Sequence, residues 1–479
     1  MTLSANPKAL RRLGAIALAT AVLSGCASTA IDSNLAEVQR LSGERIGAEL
    51  KWLNSAQARQ QAQADVDAAL AKPLTADDAV RIALAYSPAL QAALADGAAT
   101  SAAATQSTRL PNPVFAFERL ARNDGNLSEL EITRTLSVPL LDLLLLPARM
   151  RQADFRQQQV RLQLAADVVQ AASEARTAWV RAVAAQQSLT YFEQIKVSAE
   201  ASAELARRMQ AVGNFSKLQR ARQQAFYAEA MAQFARAQQG AQSTREALVR
   251  ALGLNDGQAA SLTLPERLPD LPATPKQEQS FSQAALTNRL DVALAQADLD
   301  FVAREQGLTR VTSIVNGLHV GAVRVSETGL PPKKGYDLEL PLPIFDFGDA
   351  NRARAQATYM AALNRAAAVG VQAASQLREA YGNYRSTYDL AKHYRDEIVP
   401  LRKTIAEENL LRYNGMLIGV FELLADTREQ IASVVQAIDA QRDFWLADAG
   451  LQAAALGKPM TLPGMDARPA GTGAASAGH

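Results

Sequence analysis

Residues 129–138 read ELEITRTLSV, a stretch that alternates almost without interruption. Successive side chains of an extended chain point to opposite sides. Leu130, Ile132, Leu136 and Val138 therefore share one face, and Glu129, Glu131, Thr133, Thr135 and Ser137 share the other. Arg134 alone breaks the apolar face. YDLEL (336–340) alternates in the same way, and Phe115 and Phe117 share a face in an earlier segment. The pattern predicts two strand pairs: 112–118 with 128–138, joined by ARNDGN, and 315–326 with 335–343, joined by ETGLPPKKG. The third of these changes phase midway between Leu318 and Val325. Such alternation fits a half-buried antiparallel sheet. It also fits a membrane barrel, with lipid outside, water inside and strands of about 9–11 residues. Four strands do not close a barrel, and open edges cannot face lipid, so a barrel requires several copies of the chain.

Outward from the strands, the chain reads as helix. Of its 479 residues 48% are hydrophobic but only 5% aromatic, the surplus being Ala, Leu and Val. With Gln, Arg and Glu, these are residues that mostly lose little freedom in a helix. A polar, Ala/Gln-rich helix is expected over 32–71. Thr75, with Asp78 three residues later, starts the next helix as a capping box. That helix runs through AVRIALAYSPALQAALADGAAT, with Pro88 expected to kink it and Pro111 and Pro113 closing it. A long helix follows at about 148–211, then a break at Val212–Ser216 and a second helix at about 217–252. LTLPERLPDLPATP (262–275) has the composition of a boundary.

The second half repeats this order: a helix over 280–312, two strands, a long helix at about 350–411, a break at Tyr413–Gly419 and a last helix over 420–456. Ser87 matches Asn288 and Gly213 matches Gly415, landmarks about 200 residues apart. The fold class is therefore mainly α with a small β part, built as two tandem repeats of helix, two strands and a long helix pair. The segments are an N-terminal helical segment (26–73), a first repeat (74–262), a Pro-rich linker (263–279), a second repeat (280–457) and a tail of disordered composition (458–479). Helices of about 60 residues make rods on the order of 90 Å. Val160, Leu164, Val168, Ala175, Trp179 and Val183, and later Leu377, Tyr381, Tyr384, Tyr388 and Ala391, form narrow stripes suited to coiled-coil-like packing.

Several function classes fall away. Lys and Arg total 50 against 48 Asp and Glu, a net charge of +2, and nothing in that balance suggests a nucleic-acid partner, whose phosphates are normally met by a concentrated basic face. No GxSxG, GxxxxGK, HExxH or CxxC occurs, and His319, His393 and His479 lie far apart, so no enzyme, cofactor or metal site is expected. PLPIFDFGDANRA (341–353) looks like a catalytic loop until it is set beside SVPLLDLLLL (137–146). Pro139 and Asp142 stand where Pro343 and Asp346 stand, and the first copy has no counterpart of Gly348. A joint that stops a strand and starts a helix tolerates that difference; a catalytic loop does not.

Residues 1–25 read as a signal peptide. Lys8, Arg11 and Arg12 precede the short apolar run LGAIALATAVLSG, which is too short to span a membrane. Leu23-Ser24-Gly25-Cys26 resembles the bacterial lipobox, which makes Cys26, the only cysteine, a lipid-attachment site. Ala27 rather than Asp follows it, which favours the outer membrane.

With Cys26, the doubled element order, the SVPL and ELPLPIFDFG joints, and the breaks AVGNFSKL and YNGMLIGVFELLAD, the chain resembles the TolC-like outer-membrane efflux proteins. The resemblance covers nearly the whole mature chain except the N-terminal segment and the tail. It implies a homotrimer whose twelve strands close a barrel continued by an α-helical periplasmic tunnel. It places Gly213, Ser216, Gly415 and Gly419 at the periplasmic tip, where an adaptor protein linked to an inner-membrane transporter would bind. Ile418 departs from the small hydroxyl residue usual there, and the second break reads as one residue longer before its acid. Glu422 and Asp426 match positions that narrow the tunnel: three copies would form stacked acidic rings, unless the two are solvated surface charges. The resemblance implies a passive export duct for small molecules or metal ions. A lipid-anchored periplasmic coiled-coil scaffold without a pore is the alternative.

Overall fold

The structure is a computed structural model that describes residues 34–42, 46, 49–124, 127–278, 289–312, 317–342 and 344–458. Cys26, the leader, Asn288, Pro343 and the tail beyond Lys458 lie outside the described residues. The first half comprises α1 (34–42), α2 (Ala56–Leu70), α3 (Ala76–Tyr86), α4 (Pro88–Ser107), β1 (Val114–Asp124), β2 (Leu127–Pro139), α5 (Leu140–Leu144), α6 (Leu146–Ala211), α7 (Lys217–Leu252) and α8 (Asp256–Ser261). The second comprises α9 (Leu290–Thr312), β3 (His319–Glu327), β4 (Lys333–Glu339), α10 (Asp349–His393), a π-helical turn (Tyr394–Ile398), α11 (Val399–Asn414) and α12 (Val420–Leu456).

Local chemistry explains where these elements differ from expectation. The helix expected over 32–71 is not continuous among the described residues: 49–54 are not helical, and Ser55 starts α2 afresh, its hydroxyl accepting the Ala58 N–H at 3.1 Å. Pro88 divides rather than kinks. Ser87 takes φ −56° and ψ 120°, the extended conformation a following proline enforces, and Pro88 opens α4. The long helix of the second half is interrupted by its π turn, two residues before Pro400. Pro400 cannot donate to the carbonyl four residues back, and the Val399 N–H bonds the Tyr394 carbonyl, five back. The arginine–aspartate turn read between the first strands belongs to the ladder, which continues to Asp124 opposite Leu127. β4 ends at Glu339, short of the expected 343.

The chain forms two compact units, and neither is a half of the sequence. Among the described residues, the first draws on those within 1–47, 91–167 and 290–371, and the second on those within 48–90, 168–289 and 372–479. The first contains one antiparallel sheet in the order β1-β2-β3-β4. Its central ladder pairs Ile132 with Ser326, Arg134 with Arg324, Leu136 with Ala322 and Val138 with Val320.

The second unit contains continuous helical packing. Trp179, Val183, Leu248, Leu252 and Leu74 are buried together, and the Trp179 indole donates to the Leu74 carbonyl at 2.7 Å. The Pro-rich segment is part of this core. Leu268 is only 1% exposed, and Leu271 packs with Tyr384, Tyr388, Phe444 and Leu451. The tyrosine stripe of α10 binds the segment's backbone: Tyr388 donates to the Pro272 carbonyl at 3.0 Å, and the Tyr384 hydroxyl accepts the Lys276 N–H at 3.0 Å. Trp445 of α12 donates to the Pro269 carbonyl at 2.9 Å. The segment is neither helix nor ladder, so its carbonyls have no regular backbone partner, and Tyr388 and Trp445 donate to two of them. Leu268→Ala should therefore lower stability by about 2–5 kcal/mol in equilibrium unfolding; a loosely attached linker would tolerate it without measurable loss.

Candidate functional site

The two helix reversals are the same structure. In the first, the Gly213 N–H bonds the Gln210 carbonyl and the Asn214 N–H bonds the Met209 carbonyl. In the second, the Met416 N–H bonds Tyr413 and the Leu417 N–H bonds Arg412, the same three- and five-residue spans. Both α6 and α11 thus end in a Schellman-type cap, whose key residue is left-handed. Gly213 takes that conformation at φ 81°, but in the second reversal Met416 takes it at φ 57° and Gly415 sits at φ −78°. The match of Gly213 to Gly415 is therefore corrected by one position. Measured from the left-handed residue to the next N-cap, the second turn is no longer than the first.

The same alignment sets Ser216 against Gly419. Ser216 caps α7 with its hydroxyl, and Gln219 completes a capping box. Gly419 caps α12 with no side-chain bond. Ile418, one residue earlier, is buried and is the counterpart of Phe215, not of the hydroxyl position. Around the two turns Val212, Leu218, Leu417 and Met416 are exposed, Met416 by 93%.

Glu422 and Asp426 occupy successive turns at the start of α12 but have different surroundings. Asp426 is half-buried and accepts a hydrogen bond from the Asn409 amide of α11. Glu422 is exposed, and no hydrogen bond or ion pair engages its side chain among the described residues. Three residues beyond Asp426, Glu429 pairs with Arg402 of α11, fastening the arms of the hairpin.

The joints differ in construction. Pro139 ends the β2 ladder opposite His319, and Asp142 in α5 pairs with Arg149 at 2.5 Å. In the second joint the Asp346 carboxylate accepts the Gly348 N–H at 2.7 Å, and Gly348 is left-handed at φ 73°, which accounts for glycine there. Its carbonyl accepts the Arg352 N–H, starting α10. Apolar side chains surround this joint in the open: Leu342, Ile344, Phe345 and Phe347 are all exposed.

The sheet confines its carboxylates to one face. Register carries the alternation of β2 onto every neighbour. One face presents Phe115, Phe117, Leu136, Val138, Tyr336 and Leu338; the other presents Glu118, Glu129, Glu131, Glu327, Asp337 and Glu339. Both are open in the single chain: Tyr336 is 86% exposed, and every residue of β4 is exposed. β1 and β4 each pair on one side only. Among the described residues no helix is long and apolar enough to cross a membrane, and no cluster of three His, Cys, Asp or Glu could hold a metal ion. His319 lies at a strand end, and His393 lies 3.2 Å from Glu397 beside the π turn.

No protein-family model matches the chain, and no curated protein matches it in sequence. Solved structures do. A membrane protein from Pseudomonas aeruginosa superposes with a TM-score of 0.67 at 20% identity, over 79% of this chain and 93% of that one. The CmeC outer membrane channel of Campylobacter jejuni gives 0.68 at 14% identity, over 80% and 86%. The MtrE outer membrane channel of Neisseria gonorrhoeae, in its open state, gives 0.60 at 17% identity, over 80% and 89%. The fold is the one shared with these outer membrane channels, mostly helical with a small antiparallel sheet. Specifically, it is the fold of the TolC-like efflux proteins.

The left-handed methionine was not legible in the sequence, where the nearby glycine drew the assignment. A methionine there costs about 1–2 kcal/mol in backbone conformation. Met416→Gly should raise local stability by about that amount, read as slower amide exchange in the last turn of α11. Gly415→Ala, at negative φ, should leave it nearly unchanged.

Proposed function

We propose that three copies of this chain form a passive export duct in the bacterial outer membrane. The observation that carries the reading is the sheet: one face free of carboxylate and mainly apolar apart from Arg119, Arg134, Arg324 and Lys334, the other carrying the carboxylates, both open, with one unpaired edge at each end. Pairing β4 of one copy with β1 of the next would close twelve strands, satisfy both edges, and turn the apolar face to lipid and the acidic face to water. The TolC-like fold supports the same arrangement. The doubled element order supports two tandem repeats as its plan, with α6, α7, α10, α11 and α12 continuing the barrel as a periplasmic tunnel.

On this reading Cys26 carries the lipid anchor. The turns around Gly213, Ser216, Gly415 and Gly419 form the periplasmic tip, where the exposed Val212, Leu218, Met416 and Leu417 supply apolar area to an adaptor coupled to an inner-membrane transporter. Cargo would be small molecules or metal ions, driven by that partner. Glu422 narrows the tunnel as a ring of three carboxylates, with Asp426 contributing less because Asn409 already engages it.

The purified protein should run as a trimer in SDS until boiled and conduct ions across a planar bilayer with a preference for cations. A strictly monomeric, non-conducting protein would identify the coiled-coil scaffold instead. Glu422→Gln should reduce the cation preference more than Asp426→Asn does. Equal, negligible effects would make both residues ordinary surface charges.

A further inference from the structure

The apolar face of the sheet has a feature that channel closure does not require. Arg134 stands opposite Arg324, and Arg324 opposite Lys334, so three cations form one row across β2, β3 and β4. Arg119, opposite Ile132, adds a fourth, two residues further towards the turns. Side chains directly opposed on neighbouring strands are about 4.5–5.5 Å apart at Cβ, and like charges so placed repel. Carboxylates that would relieve the repulsion lie on the opposite face. Lys333 shows the contrast: it points to the acidic face and pairs with Glu327 at 2.7 Å. Among the described residues no hydrogen bond or ion pair engages the side chain of Arg134, Arg324 or Lys334. The Arg134 guanidinium lies 5.8 Å from the centre of the Phe117 ring.

The row is also a border. Towards the joints the face is apolar for two rungs, Phe115, Leu136, Ala322 and Tyr336, then Val138, Val320 and Leu338. Towards the turns it mixes Ile132 with Arg119 and Ser326. Cations next to an exposed apolar band match an amphiphile with phosphate at one end and acyl chains at the other.

We propose that this row binds the phosphate groups of an anionic, multiply acylated glycolipid in the outer leaflet, with its acyl chains against the rungs below. The arginines suit phosphate because each offers a planar fork of donors. The site rests on the barrel reading, which turns this face to lipid and the hairpin turns to the exterior.

The test uses full-chain protein in nanodiscs of neutral phospholipid, titrated with a diphosphorylated lipid A-type glycolipid or its dephosphorylated counterpart. Bound lipid is counted by native mass spectrometry, and conductance is measured in parallel. Wild type should retain the phosphorylated form on the order of tenfold more tightly. Combining Arg134→Gln, Arg324→Gln and Lys334→Gln should abolish that preference while trimer and conductance persist. Equal retention of both glycolipids by a conducting wild-type trimer overturns the lipid site alone, with no variant needed. Inorganic phosphate binding as tightly as the glycolipid overturns the lipid as occupant. A wild-type protein that forms no conducting trimer overturns the barrel reading and this site together.

Discussion

The β2–β3 ladder is the constraint on which the sheet depends. It joins strands from the two halves of the sequence, with Leu136 opposite Ala322 and Val138 opposite Val320. A strand's side chains alternate with period two, so this pairing decides which residues of the second half share a face with Leu130 and Leu136. A slip of one residue would bring Glu327 and Asp337 to the apolar face and remove Arg324 from it. The confinement of carboxylates to one face is thus a property of register, beyond what any one strand contains.

The same principle of non-local assembly holds in the helical unit. Its core takes Leu74 from before the sheet, Trp179 and Leu248 from the first long helix pair, and Leu446 from the last helix. The segment 262–276 is held among these helices through hydrogen bonds to its own carbonyls. Its composition reads as a boundary because prolines cannot extend a helix or a ladder. Yet the carbonyls of Pro272 and Pro269, which no helix or ladder engages, are what Tyr388 and Trp445 bind. A narrow aromatic stripe on a helix marks a packed face; what it packs against depends on the fold.

The long helices were nearly complete in the sequence: α7 and α12 begin and end within a residue of expectation, and α6 within two. Capping and breaking residues act within one turn, so their signals are local. The departures arise where one signal has two outcomes. Pro88 divides a helix where a kink was expected, and Pro400 shifts the hydrogen-bond ladder into a π turn without ending the rod. Of the candidate site residues, Gly213, Ser216 and Gly348 have chemistry that accounts for their identity. Gly415 does not, because its φ is open to any residue and the left-handed position passes to Met416.

By itself the sequence determined a mainly helical chain with four strand segments, a doubled order of elements, and two helix reversals at Val212–Ser216 and Tyr413–Gly419. Each of these follows from periodicity, capping or breaking residues acting over a few positions. Tertiary structure alone decided that the compact units mix the two halves, that the Pro-rich segment is buried, and that Asp426 is engaged while Glu422 is open. It also decided that Arg134, the one visible fault in the opening strand, stands in line with Arg324 and Lys334. Those relations reach residues as far apart as Leu74 and Leu446, and only the pairing of strands and packing of helices brings such residues together.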